Sequence, residues 1–217
     1  MTHQLEADGI QLQFGNKIIL SGIYLKCTTG CITGLLGRNG QGKSCLMKII
    51  YGTLNCEKSV RFDGVAQHEA FKRPDLIRYL PQFNFIPKSL SLKRVFQDFD
   101  LDFLSFAARF PEFESKYKSS IGNLSGGGHR LVELYVIVKS NSHFVMLDEP
   151  FTHLSPIQIE KVKELLLEEK EDKAFLITDH MYRQVLEICD NLYVLSGGTT
   201  YLVKSHTEIQ ALGYAKN

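Results

Sequence analysis

Residues 37–44 read GRNGQGKS, the spacing G-x-x-x-x-G-K-[ST]. An apolar run, CITGLL, precedes them, and KSCLMKIIYG follows with apolar residues at helical spacing. Glycines there let backbone N–H groups converge on phosphate oxygens with no Cβ in the way. A helix that starts on the loop adds its positive end. Lys43 is placed to reach β- and γ-phosphates and the Ser44 hydroxyl to bind Mg²⁺. Cys45 comes next, either as small-residue packing at a helix start or as a thiol with a lowered pKa.

Two further stretches supply acids and a base. In HFVMLDEP, four apolar residues carry Asp148 and Glu149 to the end of a buried strand, where ligands of open α/β sheets bind. Asp148 can hold a hydrated Mg²⁺ there, and Glu149 can polarise a water for in-line attack on a γ-phosphate. ITDH at 177–180 repeats the design after the strand-like AFLIT, and His180 could orient that water or bond the γ-phosphate. Gln82, after LIRYLP, can reach Mg²⁺ or the water with its amide. LSGGGHR at 124–130 sets three glycines before the apolar LVELYVIV, either as a loose turn or as backbone lying against a phosphate.

The elements that must hold these groups are legible in outline. LEADGIQLQF, IILSGIYLKC and CITGLLG read as short β-like runs separated by Gly and Asn. A helix from Lys43 should stop at Gly52. SVRFDG and LIRYLPQ read as strands, PIQIEKVKELLLEEK as an amphipathic helix opened by Pro, and AFLIT, NLYVLSGG and TYLV as three more strands. Strand–helix alternation after residue 31 predicts an α/β core with a mainly parallel sheet, beside an N-terminal antiparallel β layer. Eight of the fourteen phenylalanines fall between residues 83 and 113, where VFQDFDLDFLSFAARF has helical spacing. They read as a small helical core whose aromatic surplus could form a docking patch.

Bulk properties exclude several classes. The chain has 217 residues and a formal net charge of +1, so no basic excess points to nucleic acid as a partner. No apolar run approaches the roughly 20 residues that span a bilayer, and the start lacks the pattern of a signal peptide. A cytoplasmic protein is expected. The five cysteines are an odd number, as reduced thiols would be. Cys27 and Cys31 could suggest a metal, but no second Cys or His pair lies at ligand spacing.

Phosphate loop, Gln82, LSGG, LDEP and His180 follow one another in an order and spacing that resemble the ATP-binding cassette (ABC) ATPases, the nucleotide-binding domains of ABC transporters. The resemblance covers nearly the whole chain. GLLGRNGQGKS in particular is similar to stand-alone transporter subunits, among them those of branched-chain amino-acid importers and lipopolysaccharide-export systems. The resemblance implies a P-loop NTPase fold with a RecA-like catalytic core and β subdomain (residues 1–82 and 141–217) and a small α-helical subdomain (83–140). It implies an ATPase using ATP and Mg²⁺. Phe14, Gly37, Arg38, Asn39, Gly40, Gln41, Gly42, Lys43, Ser44 and Cys45 would bind ATP, with Phe14 stacked on adenine rather than packed in a core. Ser125, Gly126 and Gly127 would contact the γ-phosphate held by a second subunit, identical or different, in a head-to-tail dimer. Glu149, His180, Lys43 and Gln82 would be catalytic, and Ser44, Gln82 and Asp148 would face Mg²⁺, the last through water. Integral-membrane transporter subunits would dock on the Phe-rich helical subdomain, making the chain peripheral on the cytoplasmic face of the membrane.

The chain departs from the family at two places. Gly128 stands where Gln or Glu usually follows LSGG, which removes a side chain near the ribose and adds backbone freedom. Thr152, His153, Leu154 and Ser155 replace a SALD-like loop, so an acid that helps tie the two sites together is missing. His129 and His153 could substitute for lost contacts or be ordinary loop histidines. The alternatives to a transport ATPase are a regulatory cassette with little turnover and a non-transport ABC protein.

Overall fold

The computed structural model describes residues 2–203 and 208; the end of the chain assigned above to the core lies outside them. Eleven strands and six α-helices are found among the described residues. The order opens with β1 (Gln4–Phe14), β2 (Lys17–Leu20), β3 (Tyr24–Thr28), β4 (Ile32–Leu36), α1 (Lys43–Tyr51), β5 (Glu57–Phe62), β6 (Val65–Ala66) and β7 (Ile77–Leu80). Then come α2 (Leu92–Asp98), α3 (Phe103–Arg109), α4 (Gly126–Lys139), β8 (Phe144–Asp148) and α5 (Pro156–Glu169). β9 (Ala174–Thr178), α6 (Tyr182–Leu186), β10 (Asn191–Ser196) and β11 (Thr199–Val203) complete it.

The central sheet runs β11-β10-β4-β9-β8-β7, parallel throughout except for the β10–β11 pair. Its middle strands are buried on both faces, which is why ITGLL, FVMLD and AFLIT read as continuous apolar runs. Alternate residues feed two cores. Val145 and Leu147 pack with the helices α4 and α5, whereas Phe144 and Met146 pack with α1 and the N-terminal strands. The second sheet, β2-β1-β5-β6 with β3 also on β1, is antiparallel. The predicted α/β class, with a mainly parallel sheet and an antiparallel layer, is therefore observed.

Local signals explain the element ends. α1 stops on Gly52 at φ 89°, a left-handed position that glycine takes without strain, and its N–H caps Lys48 and Ile49. Pro156 opens α5, and Ser155 and Gln158 form a reciprocal capping box around it.

The aromatic segment is helical as expected, in two short helices between which Asp100 turns the chain at φ 53°. Two expectations are corrected. The segment's phenylalanines are not a surface surplus: Phe96, Phe103, Phe106, Phe110 and Phe113 are buried around Tyr135 of α4, and Phe85 and Phe99 are partly buried against them. Phe83 alone of the eight is well exposed. The LSGGGHR glycines are neither a loose turn nor flat backbone, since α4 begins at Gly126 and they form its first turn.

Candidate functional site

The phosphate-loop residues join β4 to α1. Gly40 and Gly42 sit at φ 79° and 100°, where a side chain would be strained. A Cβ on Gly42 would also lie 2.8 Å from Ile19 Cγ2, and one on Gly37 would lie 2.9 Å from the Leu195 carbonyl oxygen. The loop is thus closed to anything but glycine at its two framework positions. Lys43 is buried, and its ammonium donates to the carbonyls of Gly37 at 2.6 Å and Arg38 at 3.4 Å. Burial pulls its pKa down, and Glu149, Asp148 and Asp179 oppose that shift.

Asp148 ends β8, buried. The Tyr79 hydroxyl donates to its Oδ2 at 3.0 Å, and the Ser44 hydroxyl bonds the same carboxylate. Burial raises the Asp148 pKa; the Ser44 and Tyr79 hydrogen bonds hold it back, and the nearby Glu149 adds to the rise. Ser44, Asp148 and Gln82 together offer oxygen donors only, a set that suits a hard cation such as Mg²⁺.

Glu149 has φ 53°, the left-handed region, with its N–H on the Thr178 carbonyl at 2.7 Å. The Gln82 amide donates to Glu149 Oε2 at 2.9 Å, and His180 Nδ1 stands 3.6 Å from that oxygen. Three strand ends, of β7, β8 and β9, therefore deliver the predicted Gln82, Asp148, Glu149 and His180 to one place. A cleft of about 410 Å³ is lined by Phe14, Asn39, Gly40, Gly42, Lys43, Ser44, Cys45, Gln82 and Glu149. Phe14 is 54% exposed at the end of β1, so it is no core aromatic. Gln41 is turned another way, its Oε1 accepting from Gly197 N at 3.1 Å.

Ser125, Gly126 and Gly127 do not line this cleft. Ser125 caps α4, its hydroxyl accepting from Gly128 N at 3.0 Å, and Ser125 and Gly126 are exposed. A Cβ on Gly126 would meet open space; one on Gly127 would lie 2.3 Å from the His153 carbonyl oxygen. Gly128 is buried in the helix, facing Phe113, so it adds no backbone freedom there. Ser155, where the family has an acid, is committed to capping α5. His153 is an exposed loop residue at φ 66°. His129 is no loop histidine: it lies in α4, buried, with Nδ1 2.8 Å from the Asn84 amide nitrogen. Cys27 is a buried thiol pushed up to about 12 by burial.

Sequence reasoning missed Tyr79, Arg130, Glu133 and Asp179. Asp179 is buried and ties the segments after β8 and β9 together, accepting from Phe151 N at 3.0 Å and Met181 N at 2.8 Å. The visible sign of Glu133 was a lone acid inside the apolar LVELYVIV.

The family description for ABC transporters matches residues 20–152. The lipopolysaccharide export system ATP-binding protein LptB of Escherichia coli (strain K12) is 30% identical, over 94% of this chain and 92% of that protein. A probable ABC transporter ATP-binding protein of Azorhizobium caulinodans is 30% identical over 91% of this chain and 76% of its own length. In fold, the chain matches the crystal structure of a nucleotide-free ATP-binding cassette from an ABC transporter with a TM-score of 0.79, at 23% identity, over 98% of this chain and 96% of that one.

Proposed function

The chain belongs to the ABC transporter ATP-binding family, and from that membership we propose that it is an Mg²⁺-dependent ATP hydrolase that drives membrane subunits. The observation that carries the reading is the meeting of Lys43, Ser44, Asp148, Gln82, Glu149 and His180 around one cleft at the carboxyl ends of parallel strands.

The phosphate loop and the start of α1 cradle the triphosphate, with Lys43 exchanging its carbonyl partners for phosphate oxygens. Phe14 offers its exposed ring to the adenine. Ser44, Gln82 and Asp148 would hold Mg²⁺, the last through water, and the ion would supply neutralising charge for the phosphates. Glu149 takes a proton from a water as the water oxygen bonds the γ-phosphorus and the bond to the β–γ bridging oxygen breaks, leaving ADP and phosphate. Gln82 and His180 fix the Glu149 carboxylate from two sides.

One chain does not complete the site, because Ser125, Gly126 and Gly127 lie outside its cleft. Their exposed helix start can take an anion that another chain presents. A second cassette placed head to tail brings each LSGG turn to the other's γ-phosphate, so ATP holds the dimer and hydrolysis releases it. Membrane subunits dock on the helical subdomain, residues 83–140, where a cleft of about 430 Å³ is bordered by Gln97, Leu101, Asp102, Leu104 and Glu114. No helix among the described residues is long and apolar enough to cross a membrane. Docked there, the chain works as a peripheral subunit on the cytoplasmic face.

Sedimentation of the purified chain tests the assembly. ATP with Mg²⁺ should convert monomer to dimer in the Glu149→Gln variant, and ADP should not. A monomer under both nucleotides would reject the homodimer.

A further inference from the structure

α4 carries charges in a helix whose other buried positions are mostly apolar. Arg130 is 2% exposed. Its Nη1 donates to the Pro81 carbonyl at 2.7 Å, and its Nη2 to the carbonyls of Asp148 at 2.6 Å and Glu149 at 3.0 Å. Glu133, fully buried and one turn further on, accepts the backbone N–H groups of Phe85 at 2.6 Å and Ile86 at 2.9 Å. α4 thus grips the chain on both sides of Gln82 and at the end of β8.

A buried guanidinium is expensive, and burial lowers the Arg130 pKa. What it supplies is a rigid fork of donors that no apolar side chain offers. The fork meets an acceptor with strain behind it. Glu149 holds a left-handed backbone, which disfavours a residue with a Cβ and persists only where its surroundings enforce it. Its N–H is fixed by Thr178 and its carbonyl by Arg130. Without Arg130, nothing in this set of bonds holds the Glu149 peptide plane on its carbonyl side.

We infer that Arg130, backed by Glu133, is a positioning residue for hydrolysis: it keeps Glu149 in its left-handed conformation and sets Gln82 against it. The inference rests on the reading of Glu149 as the group that polarises water. It also joins the two half-sites, since the helix that would meet the partner's nucleotide at its first turn holds this chain's own Glu149 at its second.

The test compares the full chain with Arg130→Met, Arg130→Lys and Leu131→Ala, the last a packing control on the same helix. Arg130→Met should bind a fluorescent ATP analogue within about threefold of wild type yet release phosphate about 100-fold more slowly, the scale of a misplaced catalytic group. Arg130→Lys, which can still reach one carbonyl, should recover part of that loss. Leu131→Ala should lower the melting temperature while keeping turnover per folded molecule. Hydrogen exchange should speed up in peptides spanning 81–86 and 147–154 of Arg130→Met, but not in 37–44. Unchanged exchange in the first two peptides overturns the inference, as does turnover in Arg130→Met within threefold of wild type. A wild type without turnover would refute the hydrolase reading instead, and the exchange pattern would still decide whether Arg130 is the clamp.

Discussion

Gln82 donates its side-chain amide to Glu149 Oε2 at 2.9 Å. The sheet register accounts for the meeting. Leu80 of β7 pairs with Leu147 of β8, and each side chain lies two residues beyond that pair, just past the strand ends. Parallel strands in register bring both to the same side. Gln82→Ala should free the carboxylate and lower the turnover number roughly tenfold, with Mg²⁺-free ATP affinity unchanged. Steady-state kinetics beside equilibrium binding separates the two.

Lys43 and Ser44 should divide in effect. Lys43→Met removes the ammonium aimed at the phosphates and should weaken ATP binding at least about tenfold with or without Mg²⁺. Ser44→Ala should leave Mg²⁺-free ATP binding alone and raise the Mg²⁺ needed for tight binding. Chelation with EDTA should abolish phosphate release in wild type. Titration calorimetry with and without the metal reads each of these.

Gly126 and Gly127 provide a matched pair. A Cβ on Gly127 meets the His153 carbonyl oxygen at 2.3 Å, whereas one on Gly126 meets nothing within 4 Å. Gly127→Ala should therefore destabilise the isolated chain by about 1–3 kcal/mol, as overpacking does. Gly126→Ala should hold or slightly raise the melting temperature, since Ala favours a helix by up to about 1 kcal/mol. Both should impair ATP-driven dimerisation. A Gly126→Ala chain that dimerises and hydrolyses normally would contradict the placement of this turn at a partner's nucleotide.

How much of this was legible follows from scale. The phosphate loop, LDEP and ITDH are contiguous, and each sits where an apolar strand ends, so local pattern found Lys43, Ser44, Asp148, Glu149 and His180. Gln82 emerged the same way from LIRYLP. Arg130 and Tyr79 did not, because their partners lie 18 to 69 residues away in sequence. Hydrophobic periodicity marked the Phe-rich segment as helical but could not say that Tyr135 of α4 would absorb Phe96, Phe106 and Phe110. The same limit misplaced the start of α4: glycine's low helix propensity argued for a turn, and the Ser125 cap with tertiary packing overrode it.

Glu169 at the end of α5 gives a pH signature. Burial pushes its pKa up, but hydrogen bonds from Lys139 and Lys173 prevail and hold it below 4.5. A carboxylate depressed in the folded state stabilises the fold above its unfolded pKa, and the benefit is lost as pH falls through the folded value. Glu169→Gln should cost about 1 kcal/mol at pH 7, discounted because Lys139 is about a third exposed. The gap should close as pH drops below 4.5. Urea melts of both forms at pH 7 and in acid would check it.

The central claim is that this cleft hydrolyses ATP with Glu149 as the water-polarising group. Phosphate release should be followed for wild type and Glu149→Gln at equal nucleotide occupancy. The account predicts steady release by wild type, and in the variant retained ATP binding with release at least about 100-fold slower. Equal rates in the two forms, or ATP bound by wild type with no phosphate released, would contradict it.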